Sequence, residues 1–131
     1  MRMWQLRHGF VITMLLAFSG NALAQWVMIG RNEDMRLLVD RGSIVRNGDI
    51  ATMMQMVDYT SAQWFGSKVI MSVRNVAEYD CVKRKTRAVA GIAYSEQLGR
   101  GVEVTREAAP PDASWVAVST GGAGERLSQA A

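Results

Sequence analysis

One cysteine, one histidine and two prolines among 131 residues remove several classes of protein at once. A lone thiol, Cys81, cannot close a disulfide within the chain, so this is not a small domain held together by bridges. The single histidine, His8, sits in a stretch with the marks of a removable leader. Without it, no imidazole is left for a Ser-His-Asp or Cys-His nucleophile set, or for the usual His/Cys zinc site. Carboxylates are present, but Glu33-Asp34 is adjacent in a polar turn and belongs to no catalytic motif. The expectation is a protein without catalytic residues, metal or cofactor.

Long apolar runs are also missing. The longest, Phe10 to Phe18, follows the basic residues Arg2 and Arg7 and precedes Ala22-Leu23-Ala24. A spanning helix needs about 20 apolar residues. A short apolar core between a basic start and a small-x-small site is the pattern of a signal peptide. Residues 1–24 are therefore expected to be a cleaved leader, and residues 25–131 one exported domain in the periplasm or at the cell surface. The leader carries two of the 15 basic residues and none of the 12 acidic ones, so the mature chain has a net charge of about +1. Such a balance gives no footprint for nucleic acid.

Most of the rest reads as strands. Trp26–Ile29 ends at Gly30, and Met35–Val39 follows a polar turn. Asp40-Arg41-Gly42-Ser43 interrupts the pattern, and Asp40 or Ser43 could cap a short helical turn there. Asn47-Gly48 is a tight-turn signal that launches the Met-rich strand Ile50–Tyr59, whose methionines suit a core. Thr60–Ser67 reads as a loop. A glycine turn at Gln97–Gly101, a strand through Val102 and Val104, a proline-bearing loop at Ala108–Asp112 and a short strand at Trp115–Val118 complete the pattern. These make six or seven antiparallel strands in one mostly β domain.

The organising stretch is Val69–Tyr94. Val69, Met71 and Val73 alternate with Ile70, Ser72 and Arg74, but the phase changes after Asn75, which predicts a bulge or bend there. Between its two strands lie Lys83, Arg84, Lys85 and Arg87. On a strand, Lys83, Lys85 and Arg87 would share a face and form a patch for an acidic protein segment or a sulfated glycan. Charge runs also commonly serve only to keep a hairpin end solvated. Two environments are open to Cys81: exposed beside these cations as a reactive thiol, or buried as a small apolar residue, which free cysteine usually is.

The ordered set Val39-Asp40, Ser43-Ile44-Val45-Arg46-Asn47-Gly48, Asp58-Tyr59, Glu78-Tyr79-Asp80-Cys81, Tyr94, Gly99-x-Gly101 and Trp115 resembles the surface-adhesin protein E family. The resemblance implies a small exported domain of Gram-negative bacteria, with a short C-terminal helix packed against a single curved antiparallel sheet (an α+β, mostly β fold). It also implies an adhesin-like, non-catalytic module that binds host extracellular-matrix or serum proteins. A periplasmic envelope-interaction or inhibitor protein is the alternative. In the family, the cysteine of the Tyr-Asp-Cys segment typically pairs with one near the C-terminus, whereas Glu125–Ala131 here contains none. Losing such a bond costs about 2–5 kcal/mol in a small secreted domain, and implies a helix frayed or differently placed.

Overall fold

The computed structural model describes residues 25–131; the expected leader, residues 1–24, lies outside the described residues. Seven strands form one antiparallel sheet: β1 (Trp26–Arg31), β2 (Met35–Asn47), β3 (Ile50–Phe65), β4 (Lys68–Asp80), β5 (Lys85–Tyr94), β6 (Glu103–Ala108) and β7 (Val116–Ala117). The first six pair in chain order, and β7 pairs with the start of β5. The sheet is not closed, and one helix, α1 (Ala123–Ala130), follows it. The mostly β fold with a C-terminal helix is thus as expected.

The phase change in β4 has a different cause from the one expected. Its pairing with β3 runs without interruption from Asp80 to Ser72, so β4 has no bulge at Asn75. Instead, its two halves are covered from opposite sides. Ala77 and Tyr79 are buried on one face, in a cluster with Val39, Ala51, Met53, Leu127 of α1 and Ala131, which caps that helix. Ile70 and Ser72, of the other parity, are buried on the opposite face. A strand with one covered side keeps a single period-two pattern; exchanging the covered side midway shifts the phase with no extra residue. The bulge lies on the neighbouring strand, where Val89 is unpaired between Ala88↔Ala77 and Ala90↔Val76. Its carbonyl accepts from Ala109 N at 2.8 Å, which turns the chain after β6 back towards β5.

A tight turn covers the second face. Gln97–Gly99 forms a 3₁₀ turn between β5 and β6, with Leu98 at φ 58° and Gly99 at φ 70°. The strain of Leu98 in the left-handed region is held by two buried polar side chains. Asp58 Oδ1 accepts from Leu98 N at 2.7 Å, and Ser72 Oγ accepts from Gly99 N at 2.9 Å. Ser72 Oγ also donates to Glu96 O at 2.7 Å. The other Asp58 oxygen pairs with Arg36 of β2. Glycine at position 99 answers the positive φ, and Met56 Cε packs 3.4 Å from where a Cβ would stand.

Other expectations shift in detail. Asp40-Arg41-Gly42-Ser43 is not a helical turn but an irregularity within β2, where the register changes between Asp40 and Val45. Asp40 Oδ1 accepts from Gln25 N (2.9 Å) and Gly42 N (3.0 Å), while Ser43 Oγ accepts from Met54 N (2.8 Å). The capping residues were correctly polar, but they satisfy a bulge rather than a helix. The β2–β3 turn is Gly48-Asp49, one residue later than expected, with Gly48 at φ 63°. Thr60–Phe65 is not a loop: β3 continues to Phe65, and only Gly66-Ser67 turns the chain.

Helix α1 forms without a disulfide. Leu127 is buried against the sheet, Arg46 Nη2 donates to Ala131 O at 3.1 Å, and Arg84 pairs with Glu125 at 3.6 Å. An eight-residue helix is unstable alone, so these contacts and apolar burial hold it. Beneath it, the Tyr79 hydroxyl donates to Gln55 Oε1 across the β3–β4 ladder.

Two predictions follow from this packing. Asp58→Ala should lower unfolding free energy by about 3 kcal/mol in a denaturant titration, because it leaves Leu98 N and Arg36 without their acceptor. The second concerns Tyr79, whose ionisation burial pushes above the ordinary phenol range, its hydrogen bonds to Gln55 and Thr86 opposing the shift only in part. A folded-state value above the unfolded one, about 10, gives stability that is complete below that pH and is lost as pH rises through the folded value. Tyr79→Phe should cost about 1–3 kcal/mol at neutral pH and flatten the alkaline fall in stability, read from thermal melts between about pH 8 and 11.

Candidate binding site at the β4–β5 end

The basic cluster lies where β4 turns into β5. Asp80 shapes this turn, its Oδ1 accepting from Val82 N at 3.2 Å and Lys83 N at 2.9 Å. Arg84 has φ 53° and Cys81 N donates to Asp49 O at 3.0 Å, so the segment is a fixed turn. Lys83 therefore stands in a turn rather than on a strand, and does not take part in strand alternation with Lys85 and Arg87. Those two do share a face, opposite Asp80 and Glu78 in the register. By parity this is the face away from Tyr79 and the helix.

The four cations divide into two pairs. Arg87 Nε lies 3.2 Å from Glu78 Oε1, and its guanidinium stacks 4.5 Å from the centre of the Trp115 ring. Arg84 is paired with Glu125 of α1. Both arginines thus have structural employment. Lys83 and Lys85, by contrast, have no carboxylate within ion-pairing distance among the described residues. Together with Ile50, Asp80 and Trp115 they line a shallow hollow of about 250 Å³. Two free ammonium groups beside an indole suit an anionic group carried on an apolar or sugar frame.

Trp115 was legible as part of a short strand and of the family signature, but not as a neighbour of the basic turn. The strand itself is Val116–Ala117, and it pairs with Lys85 and Thr86. That pairing carries the ring to the basic turn from 30 residues away in sequence, a step that no local spacing signals. Cys81 is half-buried against the cluster that includes Tyr79, Leu127 and Ala131, with its Sγ 4.0 Å from Tyr79 O. It lies on the helix side of the sheet, apart from the lysine hollow.

Among the described residues, no three His, Cys, Asp or Glu side chains converge in a metal-binding group, and no helix is long and apolar enough to cross a membrane.

The family model of surface-adhesin protein E matches residues 26–131. Solved structures of Haemophilus influenzae protein E share the fold. One is 17% identical with a TM-score of 0.57, covering 79% of this chain and 80% of that one. A second crystal form is 17% identical with a TM-score of 0.59, covering 79% and 84%. Protein E from non-typeable Haemophilus influenzae gives 17% identity, a TM-score of 0.55 and coverage of 79% and 72%. A search of curated protein sequences finds no match. With the family model spanning every strand and the helix, the chain belongs to the surface-adhesin protein E family.

Proposed function

We propose that the mature chain is an exported, non-catalytic binding module that attaches to acidic segments of host extracellular-matrix or serum proteins, or to acidic glycans, through Lys83 and Lys85. The observation that carries this reading is the division of the basic cluster. Arg84 and Arg87 are held by Glu125, Glu78 and Trp115, while the two lysines face a hollow with no ion-pair partner among the described residues. A charge run that only kept the hairpin solvated would need no such hollow. The adhesin family supports an exposed site and an exported location, which the leader pattern of residues 1–24 also favours.

Lys83→Glu with Lys85→Glu should weaken binding to immobilised heparin or a matrix protein by at least tenfold, and rising salt should weaken the unaltered protein in the same direction. Circular dichroism should remain unchanged, because neither lysine holds another element in place. The companion variant Arg84→Gln should alter stability through Glu125 more than it alters binding. Affinity indifferent to both charge reversal and salt would remove this site from the function.

A further inference from the structure

The helix-covered face has a second, uncovered half. Asn75 of β4 pairs with Gly91 of β5, which pairs with Glu107 of β6; Val73, Ala93 and Thr105 form the next row. By strand parity both rows face the same side as Ala77 and Tyr79, yet no α1 residue lines them. They floor a trough of about 560 Å³, with Phe65 and Pro110 among its other lining residues. That volume lies within the range of small-ligand sites, about 300–1,000 Å³.

Gly91 is what keeps the trough open. Its φ is not in the left-handed region, and a Cβ there would meet Asn75 Cβ at an ordinary 3.5 Å. Neither the backbone nor a close contact requires glycine at this position. Glycine inside a strand weakens it, and often marks a place where something else approaches the sheet. Here it sits in Ala88-Val89-Ala90-Gly91-Ile92-Ala93, a stretch of small and apolar residues.

We infer that this trough binds the hydrocarbon chain of a single-chain amphiphile whose head carries a cationic group. β5 is paired on both sides along this stretch, with β4 and with β6, so the middle of the floor offers no free main-chain ladder, and the open ladder is the outer edge of β6, at the margin. A peptide laid across the floor would bury its own amides with almost nothing to receive them. The floor's one buried polar atom without a partner is Asn75 Oδ1, a single acceptor. An alkyl chain has no such groups to lose. Glu107, at the margin, has no ion-pair partner among the described residues and so favours a cationic or zwitterionic head over an anionic one.

Alkylphosphocholines of increasing chain length, kept below their micelle-forming concentrations, test this by titration calorimetry on the mature chain. Burial of one more methylene should tighten binding by about fourfold, until the trough is filled. Gly91→Leu and, separately, Ala88→Leu should each weaken binding tenfold or more, with circular dichroism unchanged. Glu107→Gln should narrow the preference for phosphocholine over alkyl sulfate heads. Failure of the phosphocholines to bind saturably, affinity independent of chain length, or affinity unaffected by both filling substitutions would overturn the inference. So would a concentration-dependent dimer that both filling substitutions abolish, since the trough would then belong to a second copy of the chain. None of these outcomes involves Lys83 or Lys85.

Discussion

Everything else in this domain is arranged around a carboxylate that cannot reach water. Asp58 is fully buried in β3, and its two oxygens join three parts of the chain: Arg36 of β2, Leu98 of the 3₁₀ turn and β3 itself. Ser72, opposite it on β4, completes the attachment of that turn. An open sheet needs a second layer to make a core, and a chain of this size has little material for two. The solution is to divide the cover. A short helix shields one face near Tyr79, and a polar-anchored turn shields the other near Ser72. Burying a charge is costly unless it is paired and hydrogen-bonded, so the Asp58 contacts are required rather than incidental.

This division explains which parts of the sequence were legible. The first half of β4 declares itself by alternation, with Val69, Met71 and Val73 on one parity and Ile70, Ser72 and Arg74 on the other. β4 changes its covered face midway, and a one-dimensional pattern cannot distinguish that from an inserted residue. The extension of β3 through Trp64 and Phe65 was hidden for a related reason. Those residues pair only with β4 and stay exposed, so no core-facing period marks them as strand. Turn positions were clearer, because Gly48 and Gly99 occupy backbone conformations that disfavour side chains.

Much of the signature that suggested the family proves to be structural. Asp58 and Gly99 form the clamp, Asp40 and Ser43 satisfy an irregular strand, Asp80 shapes a turn, and Tyr79 bonds to Gln55 beneath the helix. Even Trp115 is engaged with Arg87. Such residues preserve a fold, and a fold leaves its ligands open. The lysine hollow and the apolar trough are built largely from positions outside that set, which is why the family could be read from sequence more readily than either site. The missing C-terminal cysteine fits the same account: Leu127 burial, the Arg46 contact and the Arg84–Glu125 pair keep the helix in place, and Cys81 packs as an apolar neighbour.

Native-state hydrogen exchange at individual amides tests the divided cover most directly. Leu98 N and Gly99 N donate to side chains rather than to a β ladder, so a simple surface turn would exchange them quickly. If Asp58 and Ser72 bind this turn as part of the core, both amides should be protected nearly as well as those of Met56 and Val73 in the central strands. Exchange of Leu98 and Gly99 at the rate of the exposed Gly66-Ser67 turn, with β3 and β4 still protected, would contradict it.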